Sequence, residues 1–176
     1  MSGPAASILV VDDESVIRSN LTRLLRQEGY AVGEAENPVL ALECLQAGQY
    51  DLVLTDAVMP GGSGLDLIPA VKRLSPGTSC IVMTGYGTID MAVQAMKAGA
   101  FDFITKPYET ERVRVAVKNA LEYRRLTVEN ESLRKEVRRQ YRPDSLIGSS
   151  PPIMEVQRLI GRVADTDSTV LILGES

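Results

Sequence analysis

Histidine is absent from the 176 residues, and so is tryptophan. The first absence removes the commonest general base and the commonest transition-metal ligand, and with them any Ser-His-Asp arrangement. A serine hydrolase or a zinc enzyme is therefore not expected. Cysteine occurs twice, at Cys44 and Cys80, each inside an apolar stretch and without metal-like pairing, so both are expected as reduced core residues. No apolar run approaches the roughly 20 residues that cross a bilayer. No basic segment ending in small residues marks export. A cytoplasmic chain without a membrane partner is expected.

Hydrophobic residues make up 44% of the chain and charged residues 24%, as in an ordinary globular protein. The length suits one full domain plus an appendage. Charge is uneven: residues 1–110 carry 7 basic and 13 acidic groups, residues 111–142 carry 10 and 5, and residues 143–176 carry 2 and 5. Three segments are implied.

Short apolar runs at Ile8–Val11, Ala31–Gly33, Leu52–Thr55, Cys80–Thr84 and Phe101–Ile104 are bounded by acidic residues, glycine or proline and read as buried strands. Between them the apolar residues repeat at helical spacing, as in Val16, Leu21, Leu24 and Leu25, or Leu65, Ile68, Val71 and Leu74. Strand and helix alternate five times. This pattern predicts an α/β fold, a parallel five-stranded sheet covered by helices on both faces and joined by right-handed crossovers. Functional groups in such sheets lie beyond the carboxyl ends of the strands.

The fifth helix runs from Glu109 to about Arg142 without proline or glycine, longer than packing on a small sheet requires. Tyr123, Asn130 and Val137 fall at a positions and Leu126 and Leu133 at d positions of a short parallel coiled coil, with Asn130 trading stability for register. A homodimer through this helix is one reading, and a solvated charged helix is the other. Five net positive charges could also suggest nucleic acid, but interspersed glutamates and the heptad favour a solvated linker. Arg142-Pro143-Asp144 is expected to end the helix. "SLIGSSPPIMEVQRLIGRVADTDSTVLILGES" then reads as a Pro-led helix, a polar loop and an apolar strand, with too little apolar material for a core of its own.

Asp12 and Asp13, Asp56, and Thr84 with Lys106 all stand at expected strand ends, so the topology gathers them into one cluster. Three carboxylates in one crevice repel, and either protonation or a cation must relieve them. An oxygen-only donor set suits a hard ion, and a partly hydrated one suits Mg²⁺. Asp56, at the end of the central strand, could then attack a phosphoryl group while Lys106 absorbs charge on the transferring oxygens. Each residue also has a plain structural reading: the acidic pair as a helix cap, Asp56 and Lys106 as turn residues before prolines. The joint pattern makes the functional reading the stronger.

"ILVVDDE", "DLVLTDAVMPGGSGLDLI", "IVMTGYG" and "GAFDFITKP" resemble the signature segments of two-component response-regulator receiver domains over about residues 7–125. The resemblance implies a flavodoxin-like (βα)5 fold in which Asp56 is phosphorylated by a partner sensor histidine kinase. It implies that Asp13, Asp56 and the Val58 carbonyl bind Mg²⁺, with Asp12 helping through water. Thr84 and Lys106 would contact the phosphoryl oxygens, with Ala57 and Gly85 beside them, and Phe103 would hold the switch aromatic position. Lys106-Pro107 is expected to be cis. Val58 and Tyr86 are bulky and carry neither acid nor carboxamide, which predicts a phosphorylated state shielded from water.

The segment "LIGSSPPIMEVQRLIGRVADTDSTVLILGES" resembles the start of the AAA+ domain of NtrC-type activators of sigma-54 RNA polymerase. Gly174, Glu175 and Ser176 match the opening of G-x-x-x-x-G-K-[ST], whose lysine and second glycine are absent, so ATP hydrolysis is not expected of this chain. The resemblance implies residues 1–6 as a tail, 7–125 as the receiver, 126–142 as a coiled-coil linker and 143–176 as the truncated start of that ATPase domain. Sigma-54 RNA polymerase and enhancer DNA would be partners of the parent protein. Three alternatives remain: a stand-alone dimerising receiver, a Mg²⁺-dependent phosphotransferase using Asp56 transiently, and a dinucleotide-binding enzyme. The last is disfavoured because "TGYGTID" lacks the third glycine and follows the fourth strand rather than the first.

Overall fold

The structure, a computed structural model, describes residues 6–60, 62–85, 88–140, 150–164, 166 and 169–171, and the side chains of 137–140 fall outside that description. The elements in chain order are β1 (Ser7–Val11), α1 (Ser15–Gln27), β2 (Ala31–Ala35), α2 (Pro38–Ala47), β3 (Leu52–Asp56), β4 (Val58–Met59), β5 (Gly62–Ser63), α3 (Gly64–Leu74), β6 (Ser79–Thr84), α4 (Ile89–Ala98), β7 (Asp102–Thr105), α5 (Thr110–Gln140) and α6 (Pro151–Val163). The chain divides into two units, Met1–Glu129 and Asn130–Ser176.

In the first unit five strands form one parallel sheet in the order β2-β1-β3-β6-β7. The order reverses direction after β1, so the crevice at the carboxyl ends opens beside β1 and β3. The strand β3 is buried at every residue, as the central strand of a sheet covered on both faces must be. Alternate side chains supply two separate cores. Leu9, Val11, Val53, Cys80 and Val82 pack with Ala41, Leu45, Leu67, Ile68, Val71 and Ala95 on one face. Ile8, Val10, Leu52, Leu54, Ile81 and Met83 pack with Leu21, Leu25, Val113, Ala116, Val117 and Ala120 on the other. Each fully buried aliphatic side chain contributes about 1.5–3 kcal/mol of transfer free energy.

Local signals set the helix starts. Asn37 accepts the Leu40 amide at 3.0 Å, with Pro38 at the first helical position. Ser63 Oγ accepts the Leu65 amide at 3.1 Å, and Thr88 Oγ1 accepts the Met91 amide at 3.3 Å. Gly99 ends α4 at φ 98°, the left-handed cap that glycine adopts without a Cβ clash. The helix α5 buries Val113, Ala116, Val117 and Ala120, a single stripe at i, i+3, i+4 and i+7. From Glu129 to Glu136 its residues are exposed.

The second unit contains α6, which has no buried residue. The strand expected at the end of the chain is not present where the structure describes it: Val170 and Leu171 belong to no strand, and Leu171 is 80% exposed. A strand needs a hydrogen-bonded neighbour, and no such ladder involves these residues among the described ones. The expected helix end at Arg142-Pro143 lies outside the described residues. Among the described residues no helix is long and apolar enough to cross a membrane.

Candidate functional site

Sheet register builds the site. Val11 stands beside Thr55 across β1 and β3, so the next residues, Asp12 and Asp56, follow side by side at the carboxyl edge of the sheet. Thr84 stands beside Thr105 across β6 and β7, and the Lys106 amide continues the ladder by donating to the Thr84 carbonyl at 2.7 Å. The Lys106-Pro107 peptide is cis. Lys106 Nζ donates to Asp12 Oδ2 at 2.8 Å and to Asp56 Oδ2 at 2.5 Å. One ammonium therefore bridges carboxylates that are 94 and 50 residues away in the chain.

The pair with Asp12 is largely withdrawn from water: the Asp12 side chain is fully buried and that of Lys106 is 12% exposed. Burial pushes the Asp12 carboxyl above the ordinary carboxylate range, and the Lys106 ammonium offsets only part of that cost. For Lys106, burial alone would lower the pKa, but hydrogen bonds and charge attraction from Asp12 and Asp56 outweigh it and raise the value. Tyr108, two residues on, is raised by burial first, with the nearby carboxylates adding to the effect.

Asp12, Asp13 and Asp56 each offer a carboxylate oxygen, and the three lie within 4.8 Å of one another. Asp13 is the exposed member and the other two are buried. Three carboxylates facing one ammonium leave excess negative charge, and the donors are all oxygen. That chemistry fits a hard divalent cation such as Mg²⁺.

The backbone around Asp56 is closely held. The Val58 amide donates to Asp56 Oδ1 at 3.1 Å, and the Val58 side chain stays 56% exposed beside it. Ala57 is buried; its amide donates to the Met83 carbonyl at 2.7 Å and its own carbonyl accepts from the Gly64 amide at 3.0 Å. Ser63 Oγ donates to the same carbonyl at 3.0 Å. Thr84 is buried, whereas Gly85 is exposed. Phe103 is half-buried and packs against the core face that holds Ala95 and Ala100. Tyr86 lies outside the described residues.

Residues 8–118 match the response regulator receiver domain family. The chain belongs to that family. Curated relatives include the C4-dicarboxylate transport transcriptional regulatory protein DctD of Rhizobium meliloti, 36% identical over 172 residues, which cover 98% of this chain and 37% of that protein. The response regulator protein PilR of Pseudomonas aeruginosa is 39% identical over 168 residues, 96% of this chain and 36% of that protein. The chain thus spans little more than a third of the length of these relatives. Among solved structures, a beryllofluoride-activated NtrC4 receiver domain dimer superposes with a TM-score of 0.65 at 37% identity, over 67% of this chain and 98% of that one. NtrX from Brucella abortus gives a TM-score of 0.70 at 33% identity, over 94% of this chain and 36% of that one. The receiver fold and the parallel five-stranded sheet expected from the sequence are both present.

Two receiver residues at the site escaped the sequence. Gly64 abuts the Asp56 backbone, and Arg18 reaches the Asp12 carbonyl. A glycine after a turn and an arginine on a helix are too common to signal either role. The heptad residues Tyr123, Leu126, Asn130 and Leu133 are exposed on α5, although the Tyr123 ring also meets Phe101 at 5.4 Å between centroids. Val137 lies on α5 with its side chain outside the description, and Gly174, Glu175 and Ser176 lie outside the described residues.

Proposed function

We propose that the chain is the phosphorylation-controlled regulatory region of a two-component transcriptional activator, with Asp56 as the phosphoacceptor. The observation that carries this reading is the bridge from Lys106 Nζ to the Asp12 and Asp56 carboxylates, at the carboxyl edge of a receiver-domain sheet. An Asp56 carboxylate oxygen attacks the phosphorus of a phosphohistidine on a sensor histidine kinase. The P–N bond breaks with its electron pair on the imidazole nitrogen, and an acyl phosphate forms.

Asp12, Asp13, Asp56 and the Val58 carbonyl would hold Mg²⁺, which when bound supplies positive charge against the phosphoryl oxygens. Lys106 gives up part of its contact with Asp56 and turns to a phosphoryl oxygen. The Thr84 hydroxyl and the backbone at Ala57 and Gly85 complete the contacts, and the space left behind Thr84 admits Phe103. A phosphoryl group brings about −1.5 to −2 charge and three acceptor oxygens, enough to bias two packings of the surface from Gly85 to Ala98.

Residues 7–125 form the receiver in this reading, 126–142 a dimerising linker, and 143–176 the beginning of an AAA+ domain whose parent acts on sigma-54 RNA polymerase at enhancer DNA in the cytoplasm. The likeness to NtrC-named relatives along 98% of the chain supports it. The test is intact mass after incubation with Mg²⁺ and acetyl phosphate, beside Asp56→Asn. One phosphoryl mass gain, lost in the variant, is expected; no gain, or a gain that survives the substitution, overturns the reading. For the linker, light scattering should give a dimer mass that Leu126→Asp with Leu133→Asp reduces to a monomer. A monomer before substitution overturns that part alone.

A further inference from the structure

The loop that carries Asp12 and Asp13 is held by a residue outside the acidic cluster. Arg18, one turn into α1, sends its Nη1 to the Asp12 carbonyl at 2.5 Å and to the Asp13 carbonyl at 3.5 Å. Its Nε lies 3.7 Å from Glu34 Oε2 on the neighbouring strand β2. The Arg18 side chain is only 15% exposed, although it carries a charge. A guanidinium buried to that degree is costly unless its donors are used, and here two edges of the fork face two different strand exits.

The effect concentrates on Asp12. Its amide donates to the Ala35 carbonyl at 3.2 Å, its carbonyl accepts from Arg18, its Oδ1 accepts the Glu14 amide at 2.9 Å, and its Oδ2 accepts from Lys106. Every polar group of Asp12 is thereby engaged. Asp13 follows on a backbone fixed by its neighbour, and its exposed carboxylate is left facing the crevice with Asp12 and Asp56. Loss of an orienting contact behind a metal ligand typically weakens metal binding about 10–100-fold.

We infer that Arg18 is a positioning residue for cation binding: its fork, braced by Glu34, fixes the β1–α1 loop so that the Asp13 carboxylate is presented at the distance the cluster requires. The inference rests on the reading of Asp12, Asp13 and Asp56 as the Mg²⁺ site. It assigns the effect to fork geometry and not to charge. The charge acts oppositely, since removing a cation near three carboxylates would strengthen Mg²⁺ binding.

The test is calorimetric Mg²⁺ titration of the whole chain, wild type beside Arg18→Lys, Arg18→Gln and Glu34→Gln. Arg18→Lys keeps the charge and loses the fork, so it should raise the Kd about tenfold; Arg18→Gln also removes the opposing charge, so its Kd should rise by less, about threefold. Glu34→Gln, at a partly exposed position, should raise it about threefold. The rate of phosphorylation by acetyl phosphate should fall at limiting Mg²⁺ and return to within about twofold of wild type at saturating Mg²⁺, a split that a general folding defect would not give. A Kd within twofold of wild type in Arg18→Lys, or a tighter Kd in Arg18→Gln, overturns the inference. If the Arg18 variants fail to fold, an unchanged Kd in Glu34→Gln overturns it alone. If the wild type itself binds no Mg²⁺, the site reading fails first, and that result is distinct from the other outcomes.

Discussion

A Cβ placed on Gly64 would fall 1.8 Å from the carbonyl oxygen of Asp56 and 2.8 Å from Thr55 Oγ1. The neighbour that would have to yield is backbone, in a strand buried at all five residues. Gly64 therefore lets α3 begin directly against the strand end that carries the phosphoacceptor candidate. Gly64→Ala should lower stability by about 3 kcal/mol, at the upper end of ordinary overpacking. Urea unfolding measures the loss, and a change below about 1 kcal/mol would show that the strand end moves freely.

Asp12 places a buried carboxylate against Asp56, with one ammonium serving both. Asp12→Asn removes one of these like charges while its amide oxygen can still accept from Glu14. In Mg²⁺-free buffer at neutral pH the variant should be at least as stable as wild type, and with Mg²⁺ present its phosphorylation by acetyl phosphate should be at least tenfold slower than that of wild type. Thermal melting and the mass assay measure the two halves. A marked loss of stability would mean that the Asp12–Lys106 pair is a net structural support.

Val58 carries an exposed aliphatic side chain two residues after Asp56, on the same residue whose amide binds Asp56 Oδ1. Val58→Asn puts a carboxamide where it can orient water toward an acyl phosphate. Loss of the phosphoryl group after donor removal should be severalfold faster than in wild type. An equal or slower rate, followed by intact mass, would remove Val58 from any shielding role.

Cys80 lies in the core face that packs on Val53 and Val71, and burial pushes its thiol from 9.0 up to about 11. The folded state therefore binds this proton more tightly than the unfolded chain. The stabilisation is fully present below pH 9 and is lost as pH rises toward 11, where the difference reaches about 2–3 kcal/mol. The stability gap between wild type and Cys80→Ala should narrow by that amount over this interval. A gap independent of pH would mean that the thiol is accessible to solvent.

The five strands were legible because each is a short apolar run closed by a turn residue, and parallel strands buried on both faces announce themselves in that way. The acidic cluster was legible for a related reason: once the strands are placed, Asp12, Asp56 and Lys106 stand at their ends without further calculation. Contacts made by backbone were not legible. Nothing in the letters distinguishes Gly64, whose missing side chain matters, from Gly77, around which a Cβ would meet nothing within 4 Å. Arg18 was hidden likewise, since its partners are carbonyl oxygens that every residue type possesses. The terminal apolar run could be checked only at Val170 and Leu171, which belong to no strand among the described residues.

The two cores on opposite faces of the sheet make the strand β3 intolerant of registry errors. A slip of one residue would send Val53 toward α5 and Leu52 and Leu54 toward α3, exchanging filled volumes on both sides at once, with no solvent-facing side to absorb the mistake. Asp56 stands at the end of that strand, so its coordinates are inherited from side chains several residues upstream. Positional accuracy at the reactive edge is in this sense a property of the interior: a methyl group misplaced at Val53 is a way of moving a carboxylate.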